Sequence, residues 1–101
     1  MSAYLIVYRE TPVRDPEAIA EYSRRNQENA ASSQSDFGIR PLVVYGQVEG
    51  LEGPAPDGVV LLRFPTLEAA RSWYNSDAYQ EAMQFRLKGA DWRVVLAEGV
   101  D

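Results

Sequence analysis

Apolar and polar residues alternate along the chain in a pattern that predicts four strands and two helical regions. Residues Tyr4–Arg9 alternate β-branched and aromatic side chains with the period of a strand, and Thr11-Pro12 ends the run. Further strands are predicted at Arg40–Val48, Val59–Phe64 and Trp92–Glu98, with a bulge at Gly46. Glycine and proline crowd between the second and third strands and predict a chain reversal there.

The first helix is predicted to begin at Asp15-Pro16. Aspartate is a favoured N-cap, and proline at the first helical position leaves no N–H unpaired. The apolar side of this helix, which includes Ile19 and Tyr22, is narrow. The small and polar run Ala30–Asp36 therefore predicts that the helix frays into a loop before a turn at Gly38.

The stretch after the third strand predicts two short helices. Pro65 stops the strand, and Thr66 is placed as an N-cap for apolar residues that recur at helical spacing. Asn75-Ser76 breaks this helix, and its serine can cap a second one that ends at Gly89. The resulting order βαββαβ predicts an α+β, ferredoxin-like fold with a four-stranded antiparallel sheet and helices on one face.

Alternation along each strand separates the side chains that pack on the helices from those on the opposite face. The helix-facing set is predicted to be Leu5, Val7, Val60, Leu62, Phe64, Val94 and Leu96. The opposite face is predicted to carry Tyr4, Ile6, Tyr8, Val59, Leu61, Arg63, Arg93, Val95 and Ala97. The second strand is ambiguous, since the opposite face takes either Arg40, Leu42, Val44 and Gly46 or Pro41, Val43 and Tyr45.

The opposite face is rich in aliphatic residues, so we expect the sheet of a second copy to cover it. Two sheets packed face to face form a homodimeric α+β barrel with room inside for a ligand. The chain of 101 residues is expected to make one domain over residues 1–101. A domain this small gains stability by sharing a core with a second copy.

Composition excludes several classes of function. Hydrophobic residues make up 46% of the chain and charged residues 25%, as in soluble globular proteins. The net charge of −5 argues against a nucleic acid or an anionic membrane as partner. No cysteine or histidine is present, which removes disulfides, thiolate nucleophiles, histidine bases and Cys or His metal sites.

No sequence motif indicates a cofactor. The chain contains no dinucleotide fingerprint, P-loop or nucleophile elbow, so we expect neither a nucleotide cofactor nor a metal. The amino end has no signal-like region, and no apolar run approaches the ~18 residues of a membrane span. We therefore expect a cytoplasmic protein without a membrane partner.

The polar residues of the opposite face suggest a ligand site. Arginine keeps its charge, so buried arginines need an anion or strong acceptors. Arg63 and Arg93 would hold an oxyanion, and Tyr8 or Tyr4 would hydrogen-bond to it or shuttle a proton. Further ligand contacts are assigned to Tyr4, Arg40, Val44, Leu61 and Trp73. The alternative is that the two arginines pair with Glu98, Glu49 or an acid of a partner subunit, and that Trp73 and Tyr79 are core residues.

The chain resembles a bacterial family known as domain of unknown function 1330, in the dimeric α+β barrel superfamily. The most specific stretch is Phe64-Pro65-x-x-Glu68-Ala69-Ala70-Arg71-x-Trp73-Tyr74-x-Ser76-x-x-Tyr79-Gln80. Tyr4-x-Ile6, Asp15-Pro16-Glu17, Gly38-x-Arg40, Leu51-Glu52-Gly53, Arg93 and Glu98-Gly99 complete the match. The resemblance implies the ferredoxin-like fold and a homodimer. Relatives in the superfamily include cofactorless monooxygenases, isomerases, dehydratases, cyclases and decarboxylases, which is analogy of fold alone.

Two departures from the family pattern affect the predicted pocket. Val44-Tyr45-Gly46 stands where members tend to have Arg-Gly-Gly, and Arg63 stands where they tend to have Glu. We therefore predict a cofactor-independent enzyme that acts on a small anionic or enolisable, aromatic or polyketide-like metabolite. The alternatives are a non-catalytic homodimer that binds a small molecule and an accessory module that docks on another protein.

Overall fold

Four strands and three helices make up the protein, which a computed structural model describes over residues 1–101. In chain order the elements are β1 (Ala3–Arg9), α1 (Pro16–Phe37), β2 (Arg40–Val44), β3 (Gly58–Phe64), α2 (Leu67–Tyr74), α3 (Asp77–Gly89) and β4 (Trp92–Glu98). The strands form one antiparallel sheet in the order β2-β3-β1-β4, with the helices on one side. The predicted α+β ferredoxin-like fold is confirmed.

The predicted helix starts are confirmed by the hydrogen bonds of their caps. The Asp15 carboxylate accepts from the N–H of Ala18 at 3.1 Å, and the Thr66 hydroxyl accepts from the N–H of Ala69 at 3.0 Å. The Ser76 hydroxyl does the same for the first turn of α3. Each cap satisfies an N–H that has no partner inside its own helix, so local sequence determines where these helices begin.

The predicted fraying of the first helix is wrong. Helix α1 runs without interruption through Ala30–Asp36 to Phe37. It ends where Gly38 adopts a left-handed φ of 68° and donates its N–H to the carbonyl of Gln34 at 2.9 Å. Serine, alanine and glutamine do not break a helix as proline does, so the glycine cap and not the polar run sets its end.

The second strand is shorter than predicted and its bulge lies elsewhere. Strand β2 stops at Val44, not Val48, and its register shifts between Pro41 and Val43 instead of at Gly46. Tyr45 then takes a left-handed φ of 55°, which turns the chain out of the sheet.

The bulge also resolves the ambiguity about which side chains of β2 share a face. Arg40 pairs with Arg63 and Val43 with Leu61, which places both on the side away from the helices. Pro41 and Val44 pair with residues of the helix-facing set. Neither of the two strictly alternating assignments is correct, because one extra residue changes the facing midway along the strand.

The core lies between the sheet and the helices, as the strand patterns predict. Leu5, Val7 and Phe64 are buried there with Trp73 and Tyr79, which confirms the core interpretation of the two helical aromatics. The remaining predicted residues, Val60, Leu62, Val94 and Leu96, pack against this cluster. None of the helices has the length and apolar character needed to cross a bilayer.

Candidate functional site

The side of the sheet away from the helices, here called the open face, carries three cross-strand rows of side chains. The middle row is apolar and consists of Val43, Leu61, Ile6 and Val95. One flanking row consists of Arg40, Arg63, Tyr4 and Ala97, and the other of Val59, Tyr8 and Arg93. The structure therefore places six of the predicted site residues on one face, namely Tyr4, Tyr8, Arg40, Leu61, Arg63 and Arg93.

Both arginines of the predicted oxyanion site are paired within the chain. Arg63 donates from Nε to Ser2 Oγ at 2.9 Å and from Nη2 to Asp101 Oδ2 at 3.1 Å. Arg93 donates from Nε to Glu10 Oε1 at 2.7 Å, and this hydrogen bond raises the pKa of its guanidinium. The paired acids are Glu10 and Asp101, not the Glu98 or Glu49 that the sequence suggested.

The two arginines lie at opposite ends of the open face. Tyr4, in the row of Arg63, and Tyr8, in the row of Arg93, are four residues apart on β1. At about 3.3 Å per residue the two rows are roughly 13 Å apart. Arg93 instead rests on Tyr8, with its guanidinium carbon 4.3 Å from the ring centroid. One protomer alone therefore does not bring Arg63 and Arg93 together around a single oxyanion.

A cavity of about 510 Å³ opens on the other side of the sheet, between α1 and the edge formed by β2 and β3. Its sheet wall consists of Val7, Val60, Leu62, Ile39, Pro41 and Val44. Trp73, Tyr79 and Arg86 close it from the side of α2 and α3. The volume is within the range of about 300 to 1,000 Å³ that is typical of small-molecule sites. Arg40, Val44 and Trp73, predicted as ligand contacts, line this cavity, and Arg40 does so from the start of the edge strand β2.

Arg86 is the unusual residue of the cavity wall. Only 2% of its surface is exposed, and no acid lies within ion-pairing distance of it. Its Nε and Nη1 atoms are buried without a hydrogen-bond partner. The guanidinium carbon lies 5.2 Å from the centroid of the Trp92 ring, which offsets only part of the lost hydration. The side chain therefore lacks an anionic partner. Burial of a cation without a counter-ion costs several kcal/mol.

Two tyrosines meet beside this arginine. The hydroxyl oxygens of Tyr22 on α1 and Tyr79 on α3 are 2.9 Å apart, and either can donate. Burial and then the neighbouring Tyr22 raise the pKa of Tyr79 well above its ordinary value. Burial likewise raises the pKa of Tyr45, which lines the cavity mouth. The hydroxyls of Tyr79 and Tyr45 therefore remain protonated at neutral pH and can act as hydrogen-bond donors, not as bases.

The remaining lining residues define what the cavity can do chemically. None of its 18 residues is a carboxylate, a histidine or a cysteine. The walls combine two arginines, of which Arg86 is buried, with tyrosine hydroxyls, polar side chains of α1 and an apolar sheet surface. This combination can hold an anion and stabilise negative charge that develops on it, but it supplies no carboxylate base.

Tyr45 occupies a constrained position at the mouth of the cavity. Its left-handed backbone is uncommon for an aromatic residue and costs on the order of 1 to 3 kcal/mol. The ring packs against Gly58, where a Cβ atom would come within 2.8 Å of it, and under the guanidinium of Arg9, 5.0 Å from its centroid. Arg9 is held in turn by Asp57 at 2.9 Å. These contacts hold the ring in place.

Sequence reasoning missed Arg86 as a site residue. Arg86 lies on the inward stripe of α3, at helical spacing from Tyr79, Ala82 and Met83, so helical periodicity alone groups it with core residues. A charged residue on an inward stripe is itself the signal, because such a side chain needs a partner. Tyr22 was assigned only to the apolar side of α1, and Tyr79 only to the core.

Solved structures of proteins of similar size share the fold of this chain. A protein of unknown function from Rhodopseudomonas palustris shares 20% identity at a TM-score of 0.70, covering 99% of this chain and 83% of that one. A dimeric ferredoxin-like protein of unknown function from Jannaschia sp. CCS1 shares 12% identity at a TM-score of 0.69, covering 98% and 100%. A putative antibiotic biosynthesis monooxygenase from Nitrosomonas europaea shares 15% identity at a TM-score of 0.64, covering 98% and 90%.

At these identities the likenesses show the fold alone. No curated protein matches the chain. Among protein families, the domain of unknown function DUF1330 matches residues 2–100, which is nearly the whole chain. The strand, cap and helix signals of the sequence agree with this match from end to end, and the chain belongs to the DUF1330 family.

Proposed function

We propose that this protein binds a small organic anion with a largely apolar body in the cavity between α1 and the sheet. The observation that carries the proposal is Arg86, a buried and unpaired cation in the wall of a cavity without acidic residues. A ligand carboxylate or phenolate would supply the missing counter-ion. The apolar side chains of Val7, Val60 and Leu62 would contact the body of the ligand.

We also propose that the protein acts as a homodimer through the open face. The apolar row of that face leaves Val43 38% exposed and Val95 39% exposed in the single chain, and a second sheet would cover both. The likeness to a dimeric ferredoxin-like protein supports this assembly. Arg40, Arg63 and Arg93 would lie at the polar borders of the interface. In this arrangement the cavity remains within each protomer, behind the sheet.

A binding function fits the cavity better than catalysis by a protein base. The second candidate is an enzyme for an enolisable anion, without a cofactor, in which Arg86 and a tyrosine hydroxyl stabilise an enolate oxygen. The observation that favours it is the Tyr22–Tyr79 pair, since one hydroxyl can donate to the other and leave a donor for the ligand. Phenylpyruvate is a suitable probe because it is aromatic, anionic and enolisable.

Calorimetric titration with 2-naphthoate and with its uncharged amide tests the binding proposal. We expect the wild type to prefer the acid and Arg86→Met to lose that preference. Arg71→Met is the matched control, since Arg71 is exposed on α2 and forms no ion pair. Equal binding of acid and amide by all three proteins would contradict the proposal. Faster ketonisation of phenylpyruvate enol by the wild type than by Arg86→Met would support the catalytic candidate.

A further inference from the structure

The inward side of α1 is polar along the cavity, where a helix that packs on a sheet normally presents apolar residues. Ser23, Asn26, Gln27, Ser33 and Gln34 all line the cavity. Counted from Ser23, the other four follow at three, four, ten and eleven positions, which places them on one side of a helix. Their side chains take part in none of the hydrogen bonds of the structure, which leaves their donors and acceptors free for a ligand.

This polar stripe extends away from Arg86. Helices α1 and α3 are antiparallel, since Ile19 packs at Gly89 and the Arg25 guanidinium lies 4.7 Å from the centroid of the Phe85 ring. Arg86 is therefore next to the part of α1 that contains Tyr22. From Asn26 the stripe continues to Gln34, roughly 12 Å at 1.5 Å per residue. The cavity thus has Arg86 at one end, one apolar wall and one polar wall, and Arg40 is a second cationic side chain in its lining.

We infer that the ligand is an acid that carries oxygen atoms along one edge, at a distance from its carboxylate or phenolate. The carboxylate or phenolate pairs with Arg86, the flat apolar face lies on the sheet wall, and hydroxyl or carbonyl oxygens bond to Asn26 and Gln27. The inference rests on the proposed function and specifies its ligand class. A plain acyl chain would displace water from the half-buried Asn26 without replacing its hydrogen bonds, which lowers the affinity for such ligands.

The specificity test compares three acids by calorimetry, namely 2-naphthoate, 6-hydroxy-2-naphthoate and decanoate. The distal hydroxyl adds one hydrogen bond to a polar side chain, so we expect 6-hydroxy-2-naphthoate to bind roughly three- to tenfold more tightly than 2-naphthoate. Asn26→Leu should bring the two affinities together. Asn29→Leu is the matched control, since Asn29 lies on the same helix but does not line the cavity, and it should keep the wild-type ratio.

The results separate failure of this inference from failure of the binding proposal. If both naphthoates bind with equal affinity and both are lost in Arg86→Met, the anion site holds and the oxygenated ligand class is overturned. Tighter binding of decanoate than of either ring acid also overturns that class. If no acid binds the wild type, the binding proposal fails and the inference fails with it. A hydroxyl preference that is lost in Asn26→Leu and kept in Asn29→Leu supports the inference.

Discussion

Replacement of Arg86 by methionine is expected to stabilise the unliganded protein. Arg86 is 2% exposed, and two of its guanidinium nitrogens have no hydrogen-bond partner. Methionine has a similar length and carries no charge, so Arg86→Met removes the desolvation cost while it keeps most of the packing. A gain in stability on substitution would be typical of a functional residue, because residues that bind a ligand commonly lower the stability of the unliganded protein.

The size of the gain follows from two opposing contributions. Burial of an unpaired charge costs several kcal/mol, and the contact with the Trp92 ring returns about 0.5 to 2 kcal/mol. The net gain on substitution is therefore about 1 to 3 kcal/mol. In a domain of this length each kcal/mol raises the melting temperature by roughly 4 to 8 °C.

Urea denaturation at pH 7, with calorimetric melting as a second measurement, provides the assay. Arg86→Met should shift the urea midpoint upward without a change in slope. Arg71→Met removes the same charge from an exposed helical position and should change the free energy of unfolding by no more than about 0.5 kcal/mol. A loss of more than about 1 kcal/mol in Arg86→Met, with Arg71→Met neutral, would refute the reasoning and make Arg86 a structural residue.

Three further predictions follow from the structure. Leu61→Lys should convert the proposed dimer to monomers in size-exclusion chromatography with light scattering, because the charge enters the apolar row, whereas Leu87→Lys on exposed α3 should not. A Leu61→Lys dimer would argue against this interface. Burial raises the pKa of Tyr79 and Tyr45 above 10, so the stability that their protonated forms contribute is complete below pH 10 and is lost as the pH rises further. The urea midpoint should therefore fall above pH 10, and it should fall less steeply in Tyr79→Phe. Gly58→Ala should displace the Tyr45 ring and change the affinity for 2-naphthoate by at least threefold. The far-ultraviolet circular dichroism should stay unchanged. An unaltered affinity would show that the position of the ring does not matter to the site.

Most of the fold could be predicted from the sequence because its signals are local. Asp15, Thr66 and Ser76 cap helices through their own side chains, and alternation along β1 and β3 assigns each residue to a face. The errors in β2 arose because its outcome depends on distant contacts. Strand β2 shifts its register against β3, and no residue of β2 alone encodes that shift.

For a related reason the sequence pattern groups polar residues on one face but does not locate the cavity. Strand alternation groups Arg63, Arg93 and Tyr8 on one face, but it does not show that nearby acids pair with both arginines. The cavity depends instead on the angle and separation between α1 and the sheet, which a sequence pattern does not contain. Only Arg40, Val44 and Trp73 belong both to the predicted set and to the cavity.

The polar inward side of α1 has a consequence for the local stability of the empty protein. The N-terminal part of this helix is anchored on α3, but the part from Asn26 to Gln34 faces an open space where a helix of this kind would normally bury side chains. Its backbone amides should exchange hydrogen with solvent by local opening at a lower free energy than those of β1 and β3. A ligand in the cavity would supply the missing contacts and raise that protection, so amide exchange along α1 would report occupancy even before the ligand is identified.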